Sequence, residues 1–149
     1  MHDTVVVRRT IQAVPARVWA VLADGWLYPS WVVGASRMRD VEESWPAPGS
    51  QLHHSVGLWP LLLDDRTEVI GSVPQKELRL RAHGWPAGAA EVLIRLEPIG
   101  DHATEVTINE DAVDGPAKLI PRRLRQLGVI PRNRETLRRL GFLAERRSA

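Results

Sequence analysis

From residue 36 onward, apolar and polar positions alternate along the chain. Leu78, Leu80 and Ala82 are spaced by two, with Glu77, Arg79, Arg81 and His83 between them. Val92, Ile94 and Leu96 repeat the pattern against Glu91, Leu93, Arg95 and Glu97. A period of two puts successive side chains on opposite faces of a strand. Strands are therefore predicted over 36–43, 50–58, 61–71, 76–84, 89–97 and 104–112. The breaks between them are rich in Pro and Gly, as in Trp45-Pro46-Ala47-Pro48-Gly49, Trp59-Pro60 and Trp85-Pro86-Ala87-Gly88. Such short links predict an antiparallel meander. One face is apolar. The other carries mixed charge, with Arg66, Glu68, Arg79, Arg81, Glu91 and Arg95 able to pair across strands.

The two ends of the chain differ from this middle. Thr4–Ile11, with Val5, Val6 and Val7, predicts a first strand. Pro15 suits the first position of a helix, whose apolar face is Val18, Val21 and Leu22. Asp24-Gly25 ends that helix. Trp26–Val33 predicts a second short helix or turn, bounded by Pro29 and Gly34. After Gly115-Pro116 comes a short helical stretch over Ala117–Leu127, interrupted at Pro121. Pro131 then opens a longer helix to about Arg147, with Ile130, Leu137, Leu140, Gly141 and Ala144 near helical period. A sheet with one apolar face needs a cover, and this last helix is the long amphipathic element available. The pattern thus predicts an α+β fold in one domain over 1–149: a seven-stranded antiparallel curved sheet wrapped around a long C-terminal helix, with two short helices after strand 1.

Composition narrows the function. No apolar run reaches the ~20 residues of a membrane span, and Met1-His2-Asp3-Thr4 lacks a signal-peptide pattern. A cytoplasmic location is the expectation. With no cysteine, disulfides, thiolate metal sites and a cysteine nucleophile are excluded. Charge is divided along the chain. Residues 1–113 hold 10 basic and 15 acidic residues, whereas 114–149 hold 10 basic and 3 acidic. A basic tail suits nucleic acid or an anionic membrane, but the C-terminal arginines alternate with leucines at helical spacing, which reads as a solvated helix face instead.

No nucleophile elbow, phosphate loop or dinucleotide fingerprint is present. His53 and His54 are adjacent, so on a strand they point to opposite faces and do not share a metal. No metal and no cofactor are expected. Alternation puts His54 with Leu52 and Val56 on the apolar face, Asp65 and Thr67 with Leu63 and Val69, and Glu110 with Val106 and Ile108. Polar groups on an apolar surface must pair, meet water or contact a ligand. His54 and Glu110 are the candidates for general acid/base work; structural hydrogen bonding is the other reading. Trp19 belongs with the core. Trp31, Trp59 and Trp85 fall at element ends, where a pocket mouth would lie. Gly141 in mid-helix costs about 1 kcal/mol against Ala, so it either widens a cavity beneath the helix or permits close packing.

Several stretches carry a family resemblance: Ala16-Arg17-Val18-Trp19, Trp31-Val32-Val33-Gly34-Ala35-Ser36, Trp45-Pro46-Ala47-Pro48-Gly49-Ser50, Glu110-Asp111-Ala112-Val113-Asp114-Gly115-Pro116, and Arg132-Asn133-Arg134-Glu135-Thr136-Leu137-Arg138-Arg139-Leu140. With the order of elements, they make the chain resemble actinobacterial members of the helix-grip (SRPBCC, START-like) superfamily of polyketide cyclases/dehydrases and lipid-transport proteins. The resemblance spans nearly the whole chain and implies the fold. It implies a binding or carrier protein for an apolar small molecule, lipid or polyketide-like, in an internal cavity. The alternative it implies is a cofactor-free aromatase/cyclase-type enzyme. No catalytic motif carries over. The expected cavity residues are Trp31, His54, Trp59, Asp65, Thr67, Trp85, Glu110 and Gly141. The expected partner is the apolar ligand, with monomer and homodimer both open.

Overall fold

The computed structural model describes residues 6–33, 35–56, 63–84 and 88–146. Its strands are β1 (Val7–Ile11), β2 (Ala35–Val41), β3 (Gln51–Val56), β4 (Leu63–Val73), β5 (Glu77–Gly84), β6 (Gly88–Ile99) and β7 (Ala103–Asp114). They form one seven-stranded sheet in the order β1-β7-β6-β5-β4-β3-β2. Each neighbouring pair is antiparallel. Every predicted strand is therefore present within about two residues, the ends at 4–5, 57–58 and 61–62 lying outside the described residues. β2 to β7 run as the meander that short Pro/Gly links demand. β1 closes the far edge against β7, so the first strand ends up beside the last.

The predicted faces hold. Leu78, Leu80, Ile94, Leu96, Val106 and Ile108 are buried on the concave side. Side chains between them face out, where Arg95 pairs with Glu77 at 3.1 Å. The concave face is covered by α1 (Pro15–Leu22), α2 (Tyr28–Trp31) and α3 (Arg122–Arg146). Val18, Val21 and Leu22 of α1 join Leu137, Leu140 and Ala144 of α3 in the core. Each Val and Leu among them contributes about 1.5–3 kcal/mol when fully buried. The turn from α1 to α2 is tight. Asp24 accepts a hydrogen bond from the Trp26 amide at 3.2 Å, and a side chain on Gly25 would meet Leu52 and Val41 at 2.7 Å. Trp45 donates its indole N–H to the Leu22 carbonyl at 3.1 Å, capping the end of α1.

α3 departs from expectation. A short helix and a separate one from Pro131 were predicted; the structure has a turn at Pro116–Leu119 and one 25-residue helix with Pro131 inside it. Proline removes one backbone bond and crowds the carbonyl four residues earlier. Here that residue is Leu127, and both it and Pro131 are exposed. Water can satisfy the freed carbonyl, so the helix continues. Gly141 is also reassigned. It does not widen a cavity but lies against β1, where an added Cβ would sit 3.2 Å from Ile11.

Candidate functional site

Between the sheet and the first half of α3 lies a cavity of about 440 Å³. Its floor comes from the period of two: Leu80 of β5, Val92 and Ile94 of β6, and Ile108 of β7. Its roof is Val129, Arg132, Asn133 and Thr136 of α3.

One end is aromatic. Tyr28 and Trp31 sit three residues apart on α2, so they share a helix face. Their rings meet edge to face, 5.2 Å apart and inclined at 75°. Tyr28 also lies 5.4 Å from the His54 ring. The β3–β4 register pairs His54 with Asp65 and Leu52 with Thr67, which brings His54 and Thr67 to the same side. His54 Nε2 shares a hydrogen bond of 2.8 Å with Thr67 Oγ1, and Tyr28 Oη shares one of 3.2 Å with that same oxygen. The three groups form a buried polar chain. Burial lowers the His54 pKa, against the opposing pull of the Asp65 charge and with help from Arg39. Burial likewise pushes Tyr28 up to about 12, opposed by its bond to Thr67. The imidazole is thus held neutral and the phenol protonated. Trp31 Nε1 and His54 Nδ1 are buried without a hydrogen-bond partner among the described residues.

The other end is ionic. Glu110 pairs with Arg132, and Asp111 pairs with Arg125 at 2.6 Å. Gln126 Nε2 donates to the Glu110 carbonyl at 3.1 Å. These contacts tie the start of α3 to β7 beside the cavity. The C-terminal basic face is therefore not simply solvated, because two of its arginines turn inward to carboxylates.

Of the residues expected to gather here, Trp31, His54, Thr67 and Glu110 line the cavity. Asp65 does not. Its Oδ1 accepts from the Arg66 amide at 2.8 Å, and its carbonyl accepts from Arg39 at 3.0 Å. The imidazole leans toward Thr67 instead. Gly141 lies elsewhere, against β1. Trp59 and Trp85 fall outside the described residues. Among the described residues no hydrogen bond joins His54, Asp65 and Glu110 to one another, and no group of three or more His, Asp or Glu is placed to hold a metal.

Sequence reasoning passed over Tyr28, Arg125, Arg132, Asn133 and Thr136. A signal for two of them existed. Asn133 and Thr136 stand four residues before Leu137 and Leu140, in phase with the buried stripe of α3. A polar residue in phase with a core stripe faces either a partner or a cavity. Arg125 and Arg132 had no comparable signal, since their carboxylate partners come from β7.

No curated protein sequence matches the chain. Solved structures share its fold. A protein from Nitrosomonas europaea is 15% identical with a TM-score of 0.74, and the match covers 99% of both chains. The Zhui aromatase/cyclase from Streptomyces is 17% identical with a TM-score of 0.69, covering 99% of this chain and 96% of that one. The di-domain aromatase/cyclase StfQ of the steffimycin biosynthetic pathway is 11% identical with a TM-score of 0.71, covering 97% of this chain and 52% of that one. Identities this low speak to fold alone. The model of the polyketide cyclase / dehydrase and lipid transport family matches residues 2–143, and the chain belongs to that family.

Proposed function

We propose that the chain binds an apolar small molecule, lipid or polyketide-like, in the cavity between the sheet and α3. The observation that carries this reading is the cavity itself: about 440 Å³, floored by Leu80, Val92, Ile94 and Ile108, with polar groups gathered at its two ends. Ligand sites of ~300–1,000 Å³ with apolar walls and a few placed polar groups are the common pattern. An apolar body would fill the middle. An oxygen on the ligand would meet the unpartnered Trp31 and His54 nitrogens, whose burial without a partner costs about 1–3 kcal/mol each.

A second reading, a cofactor-free aromatase/cyclase, draws on the neutral His54 and on the aromatase/cyclases that share the fold. His54 would take a proton from carbon beside a ligand carbonyl, and Tyr28 would hold Thr67 in place. Against it stands the separation of His54 from Glu110, which is tied to Arg132. Dispersed groups favour binding over turnover.

The test is binding of an apolar fluorescent probe, together with native mass spectrometry of protein purified from its own host. Val92→Phe and Ala90→Leu fill the cavity. Both should weaken probe binding at least tenfold while circular dichroism stays unchanged. Equal binding by folded variants would overturn the proposal. For the second reading, His54→Ala and Glu110→Gln variants that bind ligand and lose no turnover would remove catalysis.

A further inference from the structure

The first half of α3 carries its leucines on the outside. Leu124 and Leu127 are 58% and 69% exposed, and Leu119, just before the helix, is 88% exposed. Leu124, Leu127 and Pro131 follow the i, i+3, i+7 spacing of one helix face. The opposite face turns Gln126 and Asn133 inward, both buried. Solvent-facing leucines at helical spacing are a surface, not a core.

The charge around them has one sign. From Gly115 to Arg134 the chain holds six Lys and Arg and no Asp or Glu. Arg125 and Arg132 are engaged with Asp111 and Glu110. Lys118, Arg123 and Arg134 are exposed. None of these three makes an ion pair among the described residues. No helix of the described residues is long and apolar enough to cross a membrane.

We propose that the segment 118–127 docks the chain on an anionic lipid bilayer. Leu119, Leu124 and Leu127 enter the headgroup region, and Lys118 and Arg123 meet lipid phosphates. Three features select a bilayer over a protein partner. The leucines project from the outer side of the segment, and none of them lines the cavity. The free cations Lys118 and Arg123 flank them in a stretch, 115–134, that holds no acidic residue of its own, which matches an anionic surface. The same stretch of helix roofs the cavity through Val129 and Arg132, so docking sets the cavity beside a reservoir of apolar molecules. Only this last point rests on the binding reading above.

The full chain should co-sediment with phosphatidylglycerol/phosphatidylcholine vesicles and not with phosphatidylcholine alone, and high salt should weaken the interaction. Leu124→Ser combined with Leu127→Ser should reduce binding about tenfold. Lys118→Gln and Arg123→Gln should each reduce it about fivefold. Circular dichroism and probe binding in the cavity should stay as in the parent chain. Val92→Phe should still dock, which separates failure of docking from failure of the cavity. Three results would overturn the proposal: no preference for anionic vesicles, unchanged binding by the leucine variant, or a dimer that the leucine variant splits. The dimer result would assign these leucines to a second copy.

Discussion

The two halves of α3 are built on opposite plans. From Leu137 onward the helix is conventional: Leu137, Leu140 and Ala144 are buried, while Arg138 and Arg139 face solvent. Over Arg122–Arg132 the order is reversed. Leu124 and Leu127 face out, and Gln126, Arg125 and Arg132 face the sheet side. The difference follows from what each half covers. The C-terminal half lies on Ile11, Val18 and Leu22, where apolar contact is the source of stability. The N-terminal half spans a cavity, toward which it turns Val129, and only Ile130 at its end packs against the core. It is held by Arg125–Asp111, Arg132–Glu110 and the Gln126 bond to the β7 backbone. One half supports the fold, and the other roofs the site.

The sharpest way to break this comparison is a matched pair of truncations. Leu140→Ala, at 0% exposure, should cost about 2–5 kcal/mol. Leu127→Ala should change stability by no more than about 0.5 kcal/mol. Urea midpoints measure both, and equal losses would erase the distinction.

Next in size is the ionic anchor. Arg125→Met leaves the Asp111 carboxylate without its short partner in a half-buried place, and should cost about 1–3 kcal/mol. Hydrogen exchange should quicken over 122–130 and stay unchanged over 137–146. Uniform quickening would mean that the halves unfold together.

The third prediction concerns pH. His54 faces the cavity and is held below its ordinary value of 6.5 by burial. As pH falls the unfolded chain takes the proton first. The contribution to stability is whole above about 6.5 and is lost as pH drops below it, through the lower folded value. Wild type should lose stability relative to His54→Gln below that point, no more steeply than about 1.4 kcal/mol per pH unit. Parallel curves would show that His54 does not titrate between the two states.

The smallest effect is expected at Gly141. Alanine gains about 1 kcal/mol of helix propensity, but its Cβ would crowd Ile11 at 3.2 Å. Gly141→Ala should therefore change stability by less than about 1 kcal/mol and leave probe binding unaltered. Altered binding would bring Gly141 back to the cavity.

How much of this was legible depended on period. Alternation alone put Leu78, Leu80, Val92, Ile94, Val106 and Ile108 on one face, and it placed His54, Thr67 and Glu110 among them. A register slip by one residue would have reversed all of these together. Asp65 shared that face by the same count, yet its carboxyl turns to its own strand's backbone, and no alternation rule reports where a short side chain bends. Pro131 read as the start of a helix because proline so often stands there. Its tolerance inside one depended on an exposed neighbour, which only the fold reveals.

Sequence by itself determined the strand count, the apolar face and the long C-terminal cover, because periodicity and turn residues act locally; the family came from the resemblance of particular stretches. Tertiary structure decided the rest. It decided that β1 would lie beside β7, that His54, Thr67 and Tyr28 would form one chain, that two arginines of α3 would find carboxylates on β7, and that half of α3 would turn its leucines outward. Each of these depends on residues far apart in sequence meeting across a space whose size no local pattern encodes.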